Sequence, residues 1–203
     1  MASPEQPVLP LNESDEKKKK KKKKGDSNDD FMKALSHHNR TFGISSDPLV
    51  QFAVMFATLV HDLDHPGVPN RQLIREGSPM AQKFESRSLS QQNAIHRAWD
   101  LLAQDNFREL RDTICPTKRD LKRFREIFVT AVMATDLADV ESNRRRALRW
   151  QKAFSPEAVE ARTKKSQSSM TFYSKDELDK LATIVIEVLM QASVVAHAMQ
   201  HWQ

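Results

Sequence analysis

His61-Asp62-Leu63-Asp64-His65-Pro66-Gly67-Val68-Pro69-Asn70 sets two imidazoles and two carboxylates within five consecutive residues. Directly before it runs Leu49-Val50-Gln51-Phe52-Ala53-Val54-Met55-Phe56-Ala57-Thr58-Leu59-Val60, almost wholly apolar. Asp47-Pro48 opens that run as a helix start, with Asp47 as N-cap and Pro48 in the first turn. Pro66-Gly67 follows it, and neither residue continues a helix comfortably. The reading is a buried helix, covering residues such as Phe52, Phe56 and Leu59, that delivers metal-type ligands at its C-terminal end. His and Asp mix nitrogen and oxygen donors, which suits zinc, manganese or iron, and magnesium if more oxygens join. A His-Asp pair alone is common, and in most proteins it is a helix-end cation beside a solvated acid. The full string adds His61 and His65 at i and i+4, a second acid and the fixed Pro-Gly exit.

Outward from this stretch, the composition points to helices. The chain of 203 residues suits one domain plus an appendage, and 39% hydrophobic residues are enough for a core. Four glycines and one tyrosine argue against a β-sandwich or barrel. The single cysteine, Cys115, excludes an internal disulfide, fits a reducing compartment, and reads as structural rather than nucleophilic. No apolar run has the length that spans a bilayer. The N-terminal lysines are followed by acids rather than by the apolar core of a signal peptide. These features predict a soluble intracellular protein, cytoplasmic in location. The net charge of +5 is spread along the chain: residues 1–30 carry eight lysines and seven acids, a net of +1. So diffuse a charge gives no footprint for specific nucleic-acid binding.

Residues 1–30 are poor in apolar side chains and are expected to be a disordered, lysine-rich tail before a domain over 31–203. The unbroken run Lys17 to Lys24 can be read as a solvated linker, a nuclear address or a patch for acidic lipid or nucleic acid. The flanking acids favour the linker. His37-His38-Asn39 reads as a loop before a turn at Gly43. After Asn70 a short polar helix runs from Arg71 to about Glu76, broken by Gly77-Ser78-Pro79. Leu89, Ile95, Trp99 and Leu102 recur at helical spacing up to about Ala103, with Trp99 as core. Thr117-Lys118-Arg119-Asp120 has capping-box spacing for a helix to about Thr135, whose basic residues form its wet face. Asp136 at its C-terminal end is an odd place for an acid. A basic helix is expected from about Val140 to Phe154, then a loop over 155–173. Ser174-Lys175-Asp176-Glu177 is a clean capping box for the last helix, near-continuously apolar from Ile184 to Ala198 and expected at the centre.

The string His61 to Asn70, with Asp47-Pro48-Leu49 before it, the Ser88-to-Leu102 helix and Met133-Ala134-Thr135-Asp136, resembles the catalytic domain of class I 3',5'-cyclic-nucleotide phosphodiesterases. The resemblance covers residues 31–203 and corresponds to the middle portion of the family domain. It implies an all-α fold, here an incomplete multi-helix bundle of the His-Asp phosphohydrolase type. It implies hydrolysis of cyclic AMP or cyclic GMP to the 5' nucleotide, with the cyclic nucleotide as partner. It also implies two divalent metal ions, zinc and either magnesium or manganese. By resemblance His61 and Asp62 match metal ligands, and His65 and Thr135 match positions that support metal-bound waters. Four protein ligands hold the first metal in the family, and here two of them are lost. Val194 stands where the final Asp ligand is expected, and Gln91 stands for a Glu that orders metal waters. The upstream His-Asn-x-x-His is absent: His38-Asn39 has Phe42 in place of the second His, so no general acid is assigned, neither to His37 nor to His38. An alternative to the enzyme is therefore a catalytically inactive remnant acting as a binding or interaction module.

Overall fold

Helix starts follow the caps written in the sequence. The structure is a computed structural model that describes residues 30, 32–85, 87–168 and 173–196. The lysine-rich tail expected over 1–30 lies, apart from Asp30, outside the described residues. Among the described residues there are helices and turns and no strand. Helix α1 covers residues 32–40. It is followed by a single 3-10 turn, Ile44–Ser46, and by α2, Pro48–Val60. Two short helices come next, α3 (Asn70–Arg75) and α4 (Pro79–Lys83), then α5 (Leu89–Ala103) and α6 (Arg108–Ile114). The long α7 (Lys118–Ala134) leads to α8 (Val140–Phe154), α9 (Pro156–Ser168) and α10 (Lys175–Ala196).

The expected caps are made. The Asp47 carboxylate accepts from the Val50 amide at 3.1 Å, and Thr117 Oγ1 accepts from the Asp120 amide at 3.1 Å. Ser174 and Glu177 exchange the two bonds of a capping box, at 3.2 and 3.0 Å. Asp136 is explained as well: it is buried, and its Oδ1 accepts from the Ala138 amide at 3.0 Å, holding the turn after α7. Cys115 is buried at the end of α6, and that burial, reinforced by Asp120, pushes its thiol above the usual cysteine range, away from nucleophile chemistry.

Three expectations need correction. His37 and His38 lie in helix α1 rather than in a loop. His38 Nδ1 bonds the Ser46 hydroxyl, and its ring packs on Gly43, whose φ of +80° lets the chain reverse there. Residues 156–168 are helical although 155–173 reads as a loop; Ser155 Oγ accepts from the Ala158 amide at 3.2 Å, a cap that outweighs the weak apolar pattern. Most telling, α2 is not buried all round. Val50, Ala53 and Ala57 are buried, while Phe52, Met55 and Leu59 are exposed, Leu59 to 81%. Its fully buried positions are small residues, and of its large ones Phe56 packs on the core while Met55 and Leu59 do not.

The core is built where α2 and α10 lie on α7. Phe124 and Phe128 have no exposed surface, and Phe56 packs against both rings at 5.9 and 5.2 Å between centroids. Phe52 lies 6.0 Å from Phe124, 72 positions on, and Phe56 faces Phe128 at the same separation. A constant separation means that α2 and α7 run parallel. α10 is parallel to them too. Arg123 bonds both Asp47 (2.6 Å) and Asp179 (3.4 Å), which stand 132 positions apart, and Thr58 donates to the Met190 sulfur, also 132 positions apart. The C-terminal ends of α2, α7 and α10 therefore share one end of the bundle. α5 runs the other way, since Asn93 and Arg97 reach Asp64 while Leu102 packs in the cluster of Phe124. No described helix is long and apolar enough to cross a membrane.

Candidate metal-site end of the bundle

His61 follows α2 directly and keeps helical backbone angles. Its Nδ1 lies 2.9 Å from the Thr58 carbonyl oxygen, and its Nε2 lies 3.2 Å from Asp62 Oδ2. The carbonyl orients the ring and leaves Nε2 directed at the carboxylate, the arrangement in which a histidine serves as a ligand. His61 is three-quarters buried, whereas Asp62 is open to solvent.

The chain then turns. Asp64 takes φ +58°, and its carboxylate is held by Arg97 Nε and Nη2 at 3.2 and 3.1 Å, with Asn93 Nδ2 at 3.5 Å. The second carboxylate of the motif thus faces α5. Gly67 takes φ +74° and donates its amide to His65 Nδ1 at 3.0 Å, which ties the exposed His65 into the turn. Asn70 locks the exit: its Oδ1 accepts from the Ser90 amide (3.0 Å) and hydroxyl (2.8 Å), and its Nδ2 donates to Gln91 Oε1 at 3.1 Å.

The other expected residues come to the same end. Thr135 caps α7, buried, with its hydroxyl donating to the Val132 carbonyl at 2.7 Å. Gln91 is buried in the first turn of α5, its amide oxygen already engaged by Asn70. Val194 is half-buried near the end of α10, and the 132-position register of α10 on α2 sets it level with Asp62. Two parallel helix C-termini, those of α2 and α7, each carry about half an elementary negative charge at this end. The backbone alone therefore favours a cation there.

Sequence reasoning did not find the frame behind the site. Glu187, buried on α10, accepts from Arg149 at 2.8 Å and faces Arg146 Nε at 3.6 Å. Arg146 also donates to the Met133 carbonyl at 2.9 Å. Asn143 donates to the Asp136 and Leu137 carbonyls at 3.2 and 3.0 Å and accepts from Gln191 at 2.7 Å. These bonds fasten the turn after α7 to α8 and α10, and the one local signal was a polar residue inside an apolar helix, Glu187.

A family model described as 3'5'-cyclic nucleotide phosphodiesterase matches residues 30–203. The chain belongs to the 3',5'-cyclic-nucleotide phosphodiesterase family. It is similar to a probable 3',5'-cyclic-AMP phosphodiesterase of Caenorhabditis elegans, 33% identical over 86 residues, which is 42% of this chain and 12% of that protein. It is also similar to the human dual specificity calcium/calmodulin-dependent 3',5'-cyclic nucleotide phosphodiesterase 1C, 32% identical over 87 residues, 43% of this chain and 12% of that protein. Among solved structures it resembles the phosphodiesterase domain of the RhoPDE fusion protein from the choanoflagellate Salpingoeca rosetta. That match has a TM-score of 0.52 and 20% identity over 72% of this chain and 40% of the other, and it shows the shared all-α fold. The chain thus spans about an eighth of the length of these curated relatives and two-fifths of the solved phosphodiesterase chain.

The donor set does not fit the two divalent cations that this family implies. His61 Nε2 and the Asp62 carboxylate face one another, but the hydrocarbon of Val194 stands level with Asp62, and the Gln91 amide is neutral and engaged. Among the described residues no group of three or more His, Cys, Asp or Glu is placed to hold a metal. Two ions bring four positive charges, and one shared carboxylate neutralises one of them.

Proposed function

We propose that this chain serves cyclic-nucleotide signalling as part of a 3',5'-cyclic-nucleotide phosphodiesterase, whose reaction is the metal-dependent hydrolysis of cyclic AMP or cyclic GMP to the 5' nucleotide. The observation that carries the reading is the parallel register of α2, α7 and α10, which brings His61, Asp62 and Thr135 to one end of the bundle. In this reading His61 and Asp62 would be the residues that meet a metal ion, and His65 and Thr135 would support its waters, in a phosphodiesterase whose remaining ligands this chain does not offer. The zinc, and the magnesium or manganese, would supply an activated water and neutralise the phosphate.

A second reading, favoured by Val194 and by the engagement of Gln91 with Asn70, is that the 203-residue polypeptide is itself non-catalytic and acts as a binding or interaction module. Chromatography of cyclic AMP and cyclic GMP after incubation with the chain and Zn2+, Mg2+ or Mn2+ tests the two. A turnover of about 1 to 1,000 per second, the ordinary enzyme range, supports the complete enzyme. Product at or near the protein-free background supports the module.

A further inference from the structure

We propose that the groove between α5 and α7 binds an amphiphilic organic anion, an apolar body with one carboxylate or sulfonate head, with the head at Arg125. The site goes beyond the reading above and does not depend on it.

The groove measures about 400 Å³, within the roughly 300–1,000 Å³ of small-molecule sites. Ile95 and Trp99 of α5 line one side, Val129 and Met133 of α7 the other, and Phe84, at the end of α4, adds a third. Ile95 and Trp99 are four residues apart, as are Arg125, Val129 and Met133, so each helix presents one face. From Arg125 to Met133 the helical rise covers about 12 Å. The lining is therefore a short apolar trough with a cation at one end. Gln92 holds the Phe84 side in place, since its Nε2 donates to the Phe84 and Arg87 carbonyls at 3.4 and 2.6 Å. By the register of α7 on α2, Arg125 is level with Ala53, about 12 Å along the bundle from His61.

Charge decides the occupant. Lys122 and Arg123, beside Arg125 in sequence, each meet a carboxylate, Glu126 at 3.9 Å and Asp47 at 2.6 Å. Arg125 meets none among the described residues; its guanidinium carbon lies 5.2 Å from the centre of the Trp99 ring. Lys83 likewise rests over the Phe84 ring at 5.1 Å. Asp100, next to Trp99 in sequence, is taken by His96 at 3.2 Å. A guanidinium on a ring face keeps its N–H donors free. An anionic head takes those donors while the apolar body covers Ile95, Val129 and Met133. A cationic head on the same body would be repelled.

The test is isothermal titration of the 203-residue chain with sodium decanoate and, separately, with decylammonium chloride, which has the same body and the opposite charge. The variants are Arg125→Gln at an exposed position, Val129→Glu in the groove, and Leu59→Ser on the exposed face of α2. Circular dichroism checks that each stays folded, and if Val129→Glu unfolds, Arg125→Gln decides. The inference predicts one decanoate per chain with a dissociation constant below about 1 mM, and decylammonium weaker by about tenfold or more. Arg125→Gln should weaken decanoate by about tenfold or more, Val129→Glu should abolish binding, and Leu59→Ser should leave it unchanged. No decanoate bound at about 1 mM, equal affinity for the two heads, an unaffected Arg125→Gln, or an equal loss in Leu59→Ser would overturn it. So would a dimer of the parent in sedimentation that Val129→Glu dissociates, because a second copy would then fill the groove.

Discussion

The two ends of α2 sit in one helical frame and differ in completeness. At its start, Asp47 caps the helix and shares Arg123 with Asp179, so α2, α7 and α10 are fastened by one guanidinium between two carboxylates. At its finish, 132 positions of the same register bring α10 to Asp62 and offer the side chain of Val194. At the first end one cation joins two anions and ties three helices together. At the second, the register sets the hydrocarbon of Val194 level with Asp62 where the helices converge. The frame common to both ends rests on the Phe124–Phe128 core and on the Arg123 fastening.

The severest way to break the comparison is to remove what both ends share. Phe128→Ala empties a site with no exposed surface and should cost about 3–5 kcal/mol, read as a lower urea midpoint at unchanged helical content. Glu187→Ala comes next. It strands Arg146, whose side chain is buried at the site end, and should cost roughly 3 kcal/mol by the same measurement. If both changes proved nearly neutral, the frame would lie elsewhere. Arg123→Ala opens only the closed end, and because the guanidinium is part-exposed the loss should be about 1 kcal/mol by the same urea midpoint.

The smallest effect is pH-dependent. Asp139 caps α8, and the Ser142 hydroxyl and then the Ser142 amide hold its carboxyl below the usual carboxylate range. A lowered native value stabilises the fold above the unfolded value and loses that contribution as pH falls through the native one. Asp139→Ala should cost about 1 kcal/mol near pH 7. The gap to the parent should close as pH drops below about 4. A gap unchanged at low pH would remove the charged cap from the account.

The caps Asp47, Thr117 and Ser174 were legible because an N-cap is a local bond between a side chain and an amide three residues on. So was the family, since the string from His61 to Asn70 is contiguous. The bare face of α2 was not: Phe52, Met55 and Leu59 look like core in sequence, and which face meets α7 is decided by the small Ala53 and Ala57. Helix α9 was missed because its pattern is polar and its start depends on a single serine cap. Asp64 could be read as a second metal carboxylate in the linear motif, yet Arg97, 33 residues on, claims it. Pairing of that kind is tertiary and leaves no periodic trace.

The central claim is that the frame survives and that one side chain level with Asp62 withholds the anionic donor. Manganese affinity, measured by electron paramagnetic resonance titration of the parent chain and of Val194→Asp, tests it most directly, because Mn2+ favours carboxylate oxygen. The account predicts that the parent leaves Mn2+ free at millimolar concentration and that Val194→Asp binds it, with affinity lost again in the Asp62→Asn double variant. Tight Mn2+ binding by the parent, or no gain in Val194→Asp, would contradict it.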